Sequence, residues 1–231
     1  MWRATLDAPI DPRRDGALST TERTRADRFL TPRDRLRFRR GRGLLRAILG
    51  RYLDEDPARL EFEYGPRGKP ELAGARLRFN LSHSRDLLLV AVTAKSRVGV
   101  DVDQVRPVAD LDRIARRFFS AAENAALASV PPAHRLEAFF RCWTGKEAFI
   151  KATGGGFSVS LSGFDIDLAA EGPAGVVVHG DPEESTRWSL RRVVPGPGYC
   201  AALATEGAPR RVRCWQWSDR GSGAIGDGSA A

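Results

Sequence analysis

The chain has 231 residues, 42% of them hydrophobic and 29% charged, with a formal net charge of +8. That length allows one large domain or two small lobes that share a core, and no run approaches the roughly 18 apolar residues of a membrane span. The first turns, MWRATLDAPIDPRRDG, lack the apolar centre of a signal peptide, and Cys142, Cys200 and Cys214 lack metal-ligand spacing, so three reduced thiols in a cytoplasmic protein are expected.

In chain order, Thr20 to about Leu53 reads as helical and very basic. Leu44, Leu45, Ile48, Leu49 and Tyr52 recur at helical spacing with Arg42, Arg46 and Arg51 between them. Short alternating runs follow. Leu60, Phe62 and Tyr64 point one way, a Gly-Pro-Arg-Gly-Lys-Pro turn interrupts at 65–70, and Leu77, Phe79 and Leu81 alternate again. The apolar run Leu87 to Val92 and then Val98 to Val102 complete a set of strands whose gaps are too short for helical crossovers, which predicts a mostly antiparallel sheet.

The second half repeats that order. Pro107 to Phe119, Ala121 to Ala128 and Pro132 to Thr153 read as helices, the last stopped at Gly154-Gly155-Gly156. Strands are expected at Phe164 to Leu168, Val176 to His179, Trp188 to Val194, Tyr199 to Thr205 and Val212 to Trp217. Helices followed by strands, twice, predict an α+β fold of two similar lobes in a pseudo-dimeric arrangement, residues 1–105 and 106–217. No residue-level repeat supports the duplication, which rests on the order of elements. The Gly, Ser and Ala tail from Ser218 to Ala231 offers little to bury and is expected to be disordered.

A basic surface suits an anionic partner, whether nucleic acid, acidic protein or polyphosphate. Only Lys69, Lys95, Lys146 and Lys151 of the 37 basic residues are lysines, and two of them flank Glu147. In Gly99-Val100-Asp101-Val102-Asp103, a strand would project Asp101 and Asp103 on one face, about 7 Å apart, with the valines on the other. The plain alternative is an exposed edge with two solvated acids. In Trp143-Thr144-Gly145-Lys146-Glu147-Ala148-Phe149-Ile150-Lys151, helical spacing stacks Trp143, Glu147 and Lys151. An ordinary Glu–Lys pair worth about 0.3 kcal/mol would explain that spacing too. Three carboxylates without histidine or cysteine nearby fit Mg²⁺, which pairs a few carboxylates with substrate phosphate and water. Lys151, a turn beyond Glu147, could reach a phosphate oxygen.

G-V-D-V-D followed by W-x-x-K-E-A-F-I-K-A-x-G resembles the two signatures of the 4′-phosphopantetheinyl transferase superfamily. Gly68-Lys69-Pro70, Asn80-Leu81-Ser82-His83-Ser84 and Phe118-Phe119-Ser120-Ala121-Ala122-Glu123 are similar to its G-K-P, S-H-S and F-x-x-x-E segments, in the family's order. The length resembles that of the large, two-lobed, monomeric surfactin-synthetase-activating class.

The resemblance implies transfer of phosphopantetheine from coenzyme A to a serine of an acidic acyl or peptidyl carrier protein, releasing 3′,5′-ADP. Asp101, Asp103 and Glu147 would hold Mg²⁺, or Mn²⁺, against the pyrophosphate. Lys151 would bind that pyrophosphate, and Arg42, Ser82, His83 and Lys146 would serve the coenzyme A site. Lys69 and Pro70 would border the adenine nucleotide. Either Glu147 or Glu123 would help deprotonate the serine. Arg42 could be replaced in its role by Arg40, Arg46 or Arg51. Two residues depart from the family pattern: Asp103 stands where Glu is usual, and Gly145 costs a helix about 1 kcal/mol relative to Ala. The competing readings are a basic nucleic-acid-binding module, which three acids at one site oppose, and a degenerate coenzyme A binder. Neither nucleic acid nor membrane is expected as a partner.

Overall fold

A computed structural model describes residues 1–65, 68–155, 160–168, 174–208, 211–218 and 223–227. The chain begins β1 (Trp2–Thr5), α1 (Pro12–Gly16), α2 (Thr20–Asp27), α3 (Pro32–Leu53), then the hairpin β2 (Phe62–Tyr64) and β3 (Pro70–Leu72), β4 (Arg78–Ser84) and β5 (Leu87–Thr93). The same order returns as β6 (Val98–Gln104), α4 (Leu111–Phe118), α5 (Ala121–Ser129), α6 (Pro132–Thr153), β7 (Phe164–Ile166), β8 (Ala174–Val178), α7 (Pro182–Arg187), β9 (Trp188–Val193) and β10 (Tyr199–Glu206). β11 (Arg213–Gln216) and β12 (Gly223–Asp227) follow. The architecture is α+β, in two lobes.

One sheet has the order β12-β11-β1-β5-β4 and the other β6-β10-β9-β8-β7. Among the described residues all pairings are antiparallel except β1 with β11. These sheets do not divide the chain at 105/106. β6 pairs with β10 and belongs to the second sheet, while β11 returns to the first beside β1. The reason lies in packing: Val98, Val100 and Val102 join Ala201 and Leu203 of β10 in one apolar cluster. Part of the tail is also ordered, because Gly223–Asp227 pairs with β11. A backbone ladder on an open edge needs no apolar side chains. Residues 219–222 and 228–231 lie outside the described residues, as does Gly156 of the expected stop.

Each long helix covers its sheet. Leu44, Leu45, Ile48 and Leu49 of α3 pack on Leu88 and Val90 of β5. Ala148, Phe149 and Ala152 of α6 pack on Phe164, Trp188, Leu190 and Ala202. The opposite face of β5, Leu87, Leu89 and Ala91, packs on β6 and joins the lobes. Burial on both faces explains why β5 reads as a continuous apolar run rather than an alternation.

The duplication reaches individual residues, contrary to the sequence expectation. Ser19 and Glu22 form a capping box on α2, as Ser120 and Glu123 do on α5. Glu22 is paired at 2.7 Å with Arg46, and Glu123 at 2.8 Å with Lys146. The two cations occupy the same position in helices of 22 residues each. Arg46 donates to the Leu60 carbonyl and lies 5.0 Å from the Phe62 ring centroid; Lys146 donates to the Leu161 carbonyl and lies 4.1 Å from that of Phe164. The repeat hides in sequence because arginine replaces lysine and few positions are shared.

Two glycines set how closely α6 approaches its neighbours. A Cβ at Gly145 would stand 2.9 Å from Ile166 Cδ1, so this departure from good helix propensity admits β7. A Cβ at Gly99 would stand 2.1 Å from the Ala148 carbonyl oxygen and 2.4 Å from the Ala152 nitrogen. Backbone cannot yield as a side-chain tip does. Gly99→Ala should therefore lower the urea midpoint, with unchanged slope, by a stability loss of about 3 kcal/mol, the upper end for an overpacked core.

Candidate active site in the cleft between the lobes

β4 and β6 meet at the lobe junction but are not ladder partners. Side chains of β4 take the place of the ladder. Asn80 Oδ1 accepts from the Val100 amide at 2.9 Å, Ser82 Oγ from the Val102 amide at 3.3 Å, and Ser84 Oγ from the Gln104 amide at 3.1 Å. Alternate residues of a strand share a face, so one N-x-S-x-S stretch meets alternate amides of its neighbour. Because the amides donate, the serine protons go elsewhere: Ser82 Oγ donates to Asp101 Oδ1 and Ser84 Oγ to Asp103 Oδ1, each at 2.8 Å.

The valines of β6 face the core, and Gly99 brings α6 down on the other side. That crossing places Glu147 and Lys151 next to the aspartates. Lys151 Nζ donates to Asp101 Oδ1 at 2.6 Å and to Ser82 Oγ at 3.0 Å. Arg106 Nη1 donates to Asp103 Oδ1 at 2.7 Å. Burial pushes the Asp101 carboxyl above its ordinary value, against the pull of Lys151. Burial, and then the Asp101 charge, push Glu147 up as well.

Two clefts open on this point. One of about 730 Å³ is lined by Arg25, Arg37, Arg42, His83, Phe29 and Phe38 together with Asp101, Asp103, Glu147 and Lys151. The other, about 590 Å³, is lined by Arg117, Phe118, Ile150, Leu161, Leu81, Glu147 and Lys151. Gly68 and Pro70 border both. In the basic cleft Arg42 is buried over the rings of Phe38 and Tyr64, and its Nη1 has no hydrogen-bond partner. Burial pulls its guanidinium below the ordinary value. Burial, then the Lys151 and Arg37 charges, lower the His83 imidazole from its ordinary value.

Among the described residues no three acids, histidines or cysteines stand as a preformed metal cage. Asp101 and Asp103 each spend Oδ1 on protein donors, and among the described residues no hydrogen bond to either Oδ2 is seen. Hard oxygen donors lining an open cleft fit an ion that shares its shell with substrate phosphate and water.

Residues 97–204 match the family described as the 4′-phosphopantetheinyl transferase superfamily, and residues 15–95 that of the 4′-phosphopantetheinyl transferase N-terminal region. The chain is 40% identical over 223 residues to 4′-phosphopantetheinyl transferase HetI of Nostoc sp., covering 94% of this chain and 91% of HetI. It is 41% identical over 190 residues to 4′-phosphopantetheinyl transferase psf-1 of Bacillus pumilus (81% and 78% covered). To 4′-phosphopantetheinyl transferase Sfp of Bacillus subtilis it is 29% identical over 189 residues (80% and 81% covered).

The cleft brings together Asp101, Asp103, Glu147, Lys151, Ser82, His83, Arg42 and Pro70. Of the four arginines weighed from sequence, Arg42 lines this cleft, whereas Arg40 donates to the Thr5 carbonyl, Arg46 pairs with Glu22, and Arg51 stacks on Trp217 at 4.5 Å. Lys69 lies beside the second cleft, but its ammonium caps the Lys151 carbonyl at 2.7 Å. Arg25, Arg37 and Arg117 were not singled out from sequence; the signal was only their place in basic helices. Two expected site residues are elsewhere. Lys146 is 0% and Glu123 2% exposed. Glu123 accepts from the Ser120 and Ile166 amides, and Lys146 donates to the Leu161 and Phe164 carbonyls. The same pair exists as Glu22 and Arg46 in the lobe without acids, which marks it as architecture. Lys146→Met should cost about 3–5 kcal/mol in chemical denaturation, and Glu123→Gln/Lys146→Met should recover part of it. Folded double-variant protein should turn over near the wild-type rate; a large loss of turnover at an unchanged midpoint would return Glu123 to the chemistry.

Proposed function

The chain belongs to the 4′-phosphopantetheinyl transferase superfamily, and we propose that the inter-lobe cleft is where it transfers phosphopantetheine from coenzyme A to a carrier protein serine. The observation that carries this reading is the meeting of two oriented aspartates, Glu147 and Lys151 at the junction of a basic and an apolar cleft. A ligand with a polyphosphate nucleotide at one end and an extended, uncharged arm at the other matches that pair of clefts.

In this reading Arg42, with its free Nη1, and His83 bind phosphate in the basic cleft. The Gly68–Pro70 turn borders the nucleotide, and the arm runs along Phe118, Ile150 and Leu161. Asp101, Asp103 and Glu147 would hold Mg²⁺ or Mn²⁺. That cation, when bound, neutralises the pyrophosphate and makes its phosphorus more electrophilic. Lys151 is held at the same point by Asp101 and Ser82, so its ammonium is oriented before substrate arrives and stabilises charge on the departing 3′,5′-ADP. The carrier serine oxygen attacks the β-phosphorus, a phosphodiester bond forms, and the bond to the ADP oxygen breaks. Of the two acids left open by sequence, Glu147 faces the cleft and can take the serine proton.

The carrier is proposed to be acidic. The net charge of +8, with exposed Arg113 and Arg116 and with Arg117 lining the apolar cleft, would steer such a partner and raise its on-rate, less so in salt. No described helix is long and apolar enough to cross a membrane. Both halves of the cleft come from one chain, which supports a working monomer.

Intact mass of apo carrier protein incubated with this enzyme, coenzyme A and Mg²⁺ tests the reading directly. One phosphopantetheine should be gained, and EDTA should abolish the gain. Glu147→Gln should slow it by roughly 10²-fold or more, as loss of an electrostatic catalytic group does. Folded protein that modifies no fatty-acid, polyketide or peptide carrier would overturn the reading.

A further inference from the structure

The serines of β4 do more than close an edge. Asp103 Oδ1 receives three donors: Ser84 Oγ at 2.8 Å, the Gln104 amide at 2.9 Å and Arg106 Nη1 at 2.7 Å. Gln104 and Arg106 follow Asp103 in the chain and move with it. Ser84 stands on the other lobe, on the strand that carries Ser82 and His83 into the same cleft. It is the contact that fixes Asp103 relative to the rest of the site. The direction of that bond is forced, because the Gln104 amide already donates to Ser84 Oγ and the hydroxyl proton is left for the carboxylate.

We propose that Ser84 is a positioning residue: it locks Asp103 with Oδ1 occupied and Oδ2 presented to the cleft, and thereby sets the affinity for the divalent cation. This rests on the metal-dependent reading above. It also accounts for a short Asp at this position. With one methylene fewer than Glu, the carboxylate reaches less far, and a fixed orientation replaces reach. Partners that orient a metal-binding carboxylate are commonly worth 10–100-fold in metal affinity.

Ser84 is also the tooth of the comb that can be removed cleanly. Without it the Gln104 amide keeps Asp103 Oδ1 as acceptor, whereas Ser82→Ala would strip the Val102 amide of its partner. The test is Mn²⁺ binding followed by EPR in the presence of coenzyme A, with coenzyme A affinity measured separately without metal. Ser84→Ala should weaken Mn²⁺ roughly 10-fold, with metal-free coenzyme A affinity and the unfolding midpoint unchanged, and Ser84→Thr, which keeps the hydroxyl, should restore it. Mn²⁺ affinity unchanged in Ser84→Ala would overturn the positioning role while leaving the metal reading intact. So would an equal loss of metal-free coenzyme A binding, since that marks a cleft that has shifted as a whole. Wild-type protein that binds no Mn²⁺ in this assay would overturn the metal reading, and the proposal with it.

Discussion

β6 has two edges, and one of them is satisfied by side chains instead of backbone. An amide buried without an acceptor costs on the order of 1–3 kcal/mol, so the Val100, Val102 and Gln104 amides must find partners across the lobe junction. Asn80, Ser82 and Ser84 supply them. Had β4 offered its backbone, the two sheets would have merged into one and the junction would have closed. A side-chain comb holds the strands in register while leaving room between them. It also decides where protons point. The Val102 and Gln104 amides each fill a serine lone pair, and each serine proton is then directed onto the aspartate beside that amide.

The other constraint is the buried ion pair, present once in each lobe. Desolvating a pair of charges is expensive, and only surrounding hydrogen bonds make it tolerable. Both copies show the same compensation: a capping-box amide on the carboxylate, backbone carbonyls on the cation and a phenylalanine ring beside it. One position beyond the cation stands Ala47 in α3 and Glu147 in α6, and five beyond stand Arg51 and Lys151. The pair is therefore shared scaffolding, and the carboxylate that faces the cleft is particular to the second copy.

Much of this was legible in the sequence. The periodicity gave α6 both of its ends, and the G-V-D-V-D and K-E-A-F-I-K segments located Asp101, Asp103, Glu147 and Lys151. β1, β3, α1 and α7 were missed, being no more than six residues each with too few alternations to register. Lys146 and Glu123 were misplaced for a different reason. Lys146 adjoins Glu147 in sequence, but neighbours on a helix diverge by about 100°. One faces the cleft and the other faces Phe164 and the Leu161 carbonyl. Likewise four arginines of α3 share one composition yet take four environments. Which of them keeps a free donor depends on the strands and loops around it, and those contacts are not periodic.

Duplication raises the question of why two similar lobes make one such cleft. β1 stands in the first lobe as β6 does in the second, each leading into its helices and flanked by β5 or β10. Their remaining edges are treated differently. β6 meets the comb, whereas β1 meets the backbone of β11 in a parallel ladder. That ladder carries Trp215 and Trp217 onto Trp2 at ring distances of 5.8 and 5.7 Å, and Arg51 stacks on Trp217 at 4.5 Å. Arg51 is the counterpart of Lys151, and it faces an aromatic plug where Lys151 faces a carboxylate. A backbone ladder closes an edge and lets large apolar side chains fill what lies over it; a comb of short hydroxyls cannot. Among the described residues, β6 thus keeps an open junction beside the aspartates, whereas β11 has sealed the corresponding edge of β1.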